Sequence, residues 1–374
     1  GQSHQIYLTS ECVAQFKNGA LKPPALQARG VRSSYFIAQS LNIAAEASET
    51  WTIVANVEQD QQQVATLQSQ LEDQASLQKA LSDSCQDGND NLARIMASAD
   101  GFQSTAEAEV SLHHYANTLF NVLRGGIFAD QYRISRDDLA KTIAHFNQPV
   151  FKQHQDALAA LAETVSLADL QAFVTNREDP QLQRLVQEYL PITFGRRHGD
   201  PSRPWNQFAI ELTDDNGQPL LSYQGNWRDI FQNWEALSLS FPRFTESVIA
   251  KFVNASTVDG YNPYRITKQG IDWEVEEPDD PWSYIGYWGD HQIIYLQKLL
   301  ELSANFQPQA LGSLLDKPIF SYANVPYRIK AFEDIIKNPK DTVEYDEALA
   351  ETIEKRVQEL GAAGKLVLQQ NGRV

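Results

Sequence analysis

Cysteine is nearly missing: the 374 residues hold two, Cys12 and Cys85, far apart and in no CxxC or metal-ligand spacing. That excludes a disulfide scaffold and fits a reducing compartment, with the cytoplasm as the expected location. Long apolar runs are missing as well. None approaches the roughly 18 residues that a helical membrane span requires, so no membrane partner is expected. Positive charge is in short supply, with 31 Lys and Arg against 48 Asp and Glu and a net charge of −17. A surface of that sign repels phosphate backbones, which argues against nucleic acid as a partner. The N-terminus, GQSHQIYLTS, shows no initiator Met, basic region or apolar signal core, and the tail GAAGKLVLQQNGRV reads as strand and turn after a helix. A segment of a longer protein is therefore expected.

Familiar catalytic motifs are absent too. There is no GxSxG, no Walker A loop, no dinucleotide fingerprint and no HExxH. His113 and His114 are adjacent on a helix and face different ways, while His198 and His291 stand alone, so neither a metal nor a cofactor is expected.

What is present is a chain of ordinary globular composition, 42% hydrophobic and 21% charged, which argues against disorder and can bury a sizeable core. Residues 1–57 carry β-like runs, QIYLTS, ALQARG, SSYFIAQSLNI and ETWTIVANV, and read as the C-terminal part of a sheet or sandwich. Residues 58–104 change character. Val64, Leu67, Leu71, Leu77 and Leu81 recur at helical intervals among Gln, Asp and Lys, as in a polar-faced linker helix; the heptads are too few and irregular to favour a coiled coil. From 105 to 374 nearly everything periodic is helical, including RDDLAKTIAHFNQPVFKQHQDALAAL, WRDIFQNWEAL, YRIKAFEDIIK and YDEALAETIEKRVQELG. The expected class is mainly α, as stacked helical hairpins in a solenoid or an α/α toroid; the lack of a fixed repeat weighs against the solenoid.

Chemistry is concentrated in the middle of this region. Six of the 7 Trp (Trp205, Trp227, Trp234, Trp273, Trp282 and Trp288) lie between residues 205 and 288, among long non-periodic segments of the kind that carry function. A sugar ring presents apolar C–H faces and a rim of hydroxyls, so a site for it needs flat aromatic walls and groups that hydrogen-bond in pairs. In GNWRDIFQNWEAL a helix starting near Asn226 puts Arg228, Gln232 and Glu235 on one face with Asp229 beside it, and Ile230, Phe231, Trp234 and Leu237 on the buried side. Asn226 with Asp229 also resembles a helix N-cap, Asp290 another, and the tryptophans are readable as core packing. A second constellation is GRRHGDPSRPWN: Arg196, Arg197, His198 and Arg203 form a basic loop suited to phosphate, or ion pairs with neighbouring acids.

An Arg-Asp-x-x-Gln helix after an aromatic loop, followed by Gly-Asp-His opening another helix, resembles the inverting glycoside phosphorylases of the cellobiose-phosphorylase type, within the six-hairpin glycosidase superfamily. Large relatives of that type carry runs close to NWRDIFQNWEAL and DPWSYIGYWGDHQ. The resemblance covers the chain from about Gln5 onward. It implies a β-supersandwich, a helical linker and an (α/α)6 toroid, here incomplete at its C-terminus, because the helical segments after Gly101 are too few for six hairpins. It implies that Arg228 and Asp229, with Gln232 alongside, hold the non-reducing glycosyl unit; that Trp227, Trp234 and Trp288 are stacking walls; and that Asp290 and His291 stand at the matching helix mouth. Inorganic phosphate would be co-substrate and an oligosaccharide the partner, joined by the remainder of the polypeptide or a second copy. One departure is clear. The Asp-Trp-Asn-Asp type segment that carries the family's general acid is absent, Asp272-Trp273-Glu274 being only an echo. Inverting phosphorolysis, inverting hydrolysis and a non-catalytic carbohydrate-binding or assembly segment all remain open at this point.

Overall fold

The computed structural model of the chain describes residues 4–25, 27–55, 59–193, 195–196, 214, 220–273 and 292–368. Fourteen α-helices and a few sheets of two to four strands lie among them, so the fold is mainly α. Contacts divide the chain into two compact units, Gly1–Ala80 and Leu81–Val374.

In the first unit β1 (Gln5–Thr9) pairs antiparallel with β2 (Ser33–Ala38), and α1 (Glu11–Lys17) lies between them in sequence. Ile6 stands opposite Ile37 and Tyr7 opposite Phe36. Tyr7 is buried, and its hydroxyl donates to the Lys22 carbonyl at 2.9 Å, which ties the loop after α1 to the hairpin. Of the four strand-like runs read from the sequence, these two form strands; those at 25–30 and 49–57 form none among their described residues. The linker reading resolves into two helices, α2 (Gln61–Gln70) and α3 (Gln74–Ser98), the second crossing the boundary between the units. A capping box starts α2: Asp60 accepts from the Gln63 amide at 2.7 Å and Gln63 accepts from the Asp60 amide at 2.8 Å.

The second unit continues with α4 (Ala108–Gly125), β3 (Ile127–Phe128), β4 (Arg133–Ser135), α5 (Arg136–Phe146), α6 (Gln148–Ala159), β5 (Thr164–Ser166), α7 (Leu167–Thr175), α8 (Pro180–Gln187) and β6 (Ile192–Thr193). The sequence reads α5 and α6 as one periodic run. Asn147 breaks it: its backbone turns extended, its side chain accepts from the Val150 amide at 3.1 Å, and Pro149 sits in the first turn of the new helix. Asp179 opens α8 in the same way, accepting from the Gln181 and Leu182 amides, with Pro180 at the first helical position. β3 pairs with β6, Phe128 opposite Ile192, so the chain leaves 128–191 beside the point where it entered.

Then come β7 (Gly195–Arg196), β8 (Tyr223–Asn226), α9 (Trp227–Ser240), a 3-10 turn (Pro242–Phe244), α10 (Thr245–Ala255), β9 (Arg265–Thr267) and β10 (Gly270–Asp272). The four strands form one sheet in the order β10-β9-β8-β7. Beyond them lie α11 (Gln292–Phe306), α12 (Ala310–Leu315), β11 (Ser321–Ala323), β12 (Tyr327–Ile329), α13 (Phe332–Lys337), β13 (Val343–Tyr345), α14 (Glu347–Leu360), a 3-10 turn (Ala362–Lys365) and β14 (Leu366–Leu368). The run YRIKAFEDIIK, read as one helix, splits because residues 327–329 pair with 343–345 before α13 begins. None of the described helices is long and apolar enough to cross a membrane.

One hydrophobic core runs through most of this unit, from Phe128, Leu139 and Ile143 to Trp227, Phe231, Trp234 and Phe252. Aromatic contacts join it: Phe128 stacks on Phe244 at 4.0 Å, and Phe231 meets Trp234 edge-on at 5.4 Å. A polar network lies inside it. Arg184, almost fully buried, donates to Glu188 at 2.8 Å, and Asn254 donates to the same oxygen at 2.6 Å while accepting from the Ser321 amide at 2.8 Å. The pair is therefore compensated and hydrogen-bonded, as a buried charge must be.

Candidate functional site

Strand β8 runs straight into α9, and Gly225 permits the turn between them: a Cβ there would stand 2.7 Å from Ile230 Cδ1. Asn226 occupies the N-cap position with extended backbone, but its side chain makes no capping bond, and its buried Oδ1 has no hydrogen-bond partner among the described residues. The simple capping role is thus unfilled. Asp229 falls in the first turn, where the helix dipole favours a carboxylate.

The helix divides as its periodicity dictates. Trp227, Ile230, Phe231, Trp234 and Leu237 are buried. Trp227 meets Phe231 edge-on at 4.7 Å, and Trp234 donates from Nε1 to the Gly125 carbonyl at 3.0 Å while its ring meets Tyr223 edge-on at 5.4 Å. Asn233 donates to Asn121 at 2.9 Å, a second tie to α4. Both indoles are 0% exposed, so the structure places Trp227 and Trp234 in the core beneath the helix rather than as open walls for a sugar.

The opposite face is polar. Arg228, Asp229 and Glu235 are half-buried and Gln232 is exposed. Tyr295 of α11 faces this stripe: burial pushes its hydroxyl above the ordinary value, and the negative charges of Glu235 and then Asp229 push it further. Two carboxylates, a guanidinium, an amide and a phenol therefore share one side of α9. Such a set can donate to and accept from vicinal hydroxyls, the guanidinium in a fixed fork.

Trp288, Asp290 and His291, which precede α11 in the sequence, lie outside the described residues, as do Arg197, His198 and Arg203. For Arg196 the backbone is described: it lies in β7, parallel to β8 and opposite Gln224, two residues before Asn226. Asp272, the echo of the acid motif, is engaged by Arg265 through Nε at 2.8 Å and Nη2 at 2.6 Å. It serves the β9–β10 hairpin as an ion pair.

Residues 128–191 match the family model described as glycoside hydrolase family 149 insertion domain 1. The match supports a relative of the glycoside hydrolase and phosphorylase families and hence a carbohydrate-active protein. Its limits coincide with a structural seam, since Phe128 opens the segment in β3 and Pro191 closes it immediately before β6, with the Ala129 amide donating to the Pro191 carbonyl at 2.9 Å. A search of curated proteins finds no match.

Sequence reasoning missed a polar cluster that joins Asp138 and Tyr189 of the matched segment to Lys268 outside it. Lys268 pairs with Asp138 through both carboxylate oxygens, at 2.7 and 2.5 Å, and the Tyr189 hydroxyl donates to the same carboxylate. Burial lowers the Lys268 ammonium against the attraction of Asp138, with like-charge repulsion from Lys251 and Lys141 adding to the fall. Burial, Asp138 and their hydrogen bond push Tyr189 well above 10. Asp138 and Lys268 are 130 residues apart, so no local spacing could have announced the pair.

Proposed function

We propose that the chain takes part in the inverting phosphorolysis of a β-linked glucan or oligosaccharide, with Arg228 and Asp229 holding the non-reducing glycosyl unit and Gln232 and Glu235 extending that contact along α9. The supporting observation is the polar face of α9, set on a rigid aromatic base and opposed by Tyr295. It belongs to a chain whose residues 128–191 match an insertion domain of a β-glucan phosphorylase family.

In this reaction an oxygen of inorganic phosphate attacks the anomeric carbon from the face opposite the leaving group. The glycosidic C–O bond breaks, the leaving oxygen takes a proton from a carboxylic acid, and a sugar 1-phosphate of inverted configuration departs. Phosphate replaces base-activated water, so one acid suffices. The contribution of this chain is to bind and orient: the Arg228 fork donates to hydroxyls, Asp229 accepts from them, and Trp227 and Trp234 hold the helix from beneath. Trp288, Asp290 and His291 complete the sugar side of the proposal, and Arg196, Arg197, His198 and Arg203 the phosphate side.

Incubating the protein with inorganic phosphate and laminaribiose or cellobiose is expected to release sugar 1-phosphate. Free glucose released without need of phosphate would replace the reading by an inverting hydrolase, and glycan binding without cleavage by a binding module. Arg228→Ala and Asp229→Ala are each expected to abolish glycan binding with helix content by circular dichroism unchanged; a loss of folding would return both residues to a structural role.

A further inference from the structure

A second feature of the same unit lies apart from the polar face of α9. Where α10, the β9–β10 hairpin and the 3-10 turn after α14 meet, they enclose a cavity of about 140 Å³. It shares no residue with the polar face of α9. Ala255 and Ile266 supply apolar wall; Glu188, Lys251, Asp272 and Lys365 supply charge.

The charges do not cancel. Glu188 is already matched by Arg184 and Asn254 on one oxygen, and Asp272 is matched by the two donors of Arg265. Lys251 forms no salt bridge among the described residues, and its Nζ lies 5.9 Å from the ring centres of Phe146 and Tyr223. Lys365 makes a single long bond, 3.4 Å, to the Ile271 carbonyl. Both lysines are half-buried. With each acid committed to its own arginine, the cavity carries two ammonium groups without a carboxylate counterpart among the described residues. Desolvating an ammonium is costly unless an opposite charge meets it, and the aromatic faces beside Lys251 compensate only weakly at that distance.

Lys251 also repels the half-buried Lys268, whose ammonium is lowered first by desolvation and is itself matched by Asp138. The walls are also fixed. His145 Nε2 lies 2.7 Å from the Gln269 carbonyl, holding the hairpin tip, and Gly361 packs so closely on α5 that a Cβ there would collide with the His145 carbonyl. A preformed hollow of this size, many times the roughly 10–15 Å³ one water needs, has room for a phosphate or a short organic anion.

We propose that this cavity is a binding site for a small oxyanion, held by Lys251 and Lys365: inorganic phosphate, or the phosphate or carboxylate group of a small metabolite. Lysine suits the task, since an ammonium is a compact point charge that binds phosphate without demanding planar geometry. The site is independent of the glycan reading and stands if that reading falls.

The test is titration of the intact protein by isothermal calorimetry at constant ionic strength, with phosphate, glucose 6-phosphate, succinate and, as an uncharged control, glycerol. Saturable binding of at least one anion and none of glycerol is expected, and the tightest of the three identifies the source. Lys251→Gln and Lys365→Gln are each expected to weaken that binding by about tenfold or more, with Lys251→Arg retaining most of it. Arg228→Ala, which reports the glycan face, is expected to leave it unchanged. Absence of anion binding in the wild type overturns the proposal, as does unchanged affinity in the double Lys251→Gln, Lys365→Gln variant with its fold verified by circular dichroism. Loss of binding in Arg228→Ala would place the anion elsewhere.

Discussion

The two units of the chain use the same kinds of residue to different ends. Residues 1–80 carry strand-like runs of Ile, Val and aromatic residues, yet Tyr7 and Cys12 are the only buried residues among those described there, while Phe16, Tyr35, Trp51, Ile53 and Val54 stand 60% exposed or more. Residues 81–374 bury Trp227 and Trp234 completely, with neighbours on every side. The difference teaches that β-branched and aromatic content expresses a capacity for burial, not burial itself. A strand-like run becomes a strand only where a partner edge exists, and a two-stranded ribbon has little face to cover.

That contrast can be broken or sharpened by substitution. Trp234→Ala removes a fully enclosed indole and its bond to Gly125, and is expected to cost about 3–5 kcal/mol in a urea titration. Gly361 has φ of +101° and faces the His145 carbonyl, so Gly361→Ala is expected to cost about 2 kcal/mol by the same measurement, through backbone strain and the clash together. Tyr189 gives a pH signature. Its folded value is raised, so the native state keeps a proton that the unfolded chain gives up above pH 10; stability is intact below that and falls as pH rises through the folded value, by up to about 1.4 kcal/mol per unit. Tyr189→Phe is expected to remove that share of the alkaline loss when urea midpoints are compared across pH. Smallest is Trp51→Ala in the first unit, where an indole 67% exposed is expected to change stability by no more than about 0.5 kcal/mol. A large loss there, or a small one at Trp234, would erase the contrast.

Legibility follows the same line. Long helices with a clear apolar stripe, such as α4, α9 and α14, are readable because the 3.6-residue period survives any tertiary context. The break at Asn147 is written in its capping side chain and Pro149, yet the apolar pattern on both sides hides it. Strands of two to four residues such as β3, β6 and β9 have no period to show, and β12 merges in the sequence pattern with the helix after it because only its pairing with β13 distinguishes it. On α9 the period correctly groups Arg228, Gln232 and Glu235, with Trp234 on the buried side. It cannot say how deeply an indole is enclosed, since that depends on α4 and α10, and the stacking role implied for Trp227 and Trp234 meets rings with no open face. Charge pairs such as Lys268 with Asp138 are invisible for a simpler reason, being far apart along the chain.

The pairing of β3 with β6 has a consequence for how the matched segment could come and go. A deletion of residues 129–191 would leave its cut ends on neighbouring strands, about 5 Å apart between Cα atoms, close enough to be rejoined by a tight turn. Yet the excised piece would take with it Tyr132, which packs on both Phe241 and Phe244, and would leave Phe128 as the aromatic neighbour those two rings keep. The segment is therefore detachable by topology but wedded to its host by its oil-filled seam, and any descendant that lost it would have to resurface that scar with polar residues.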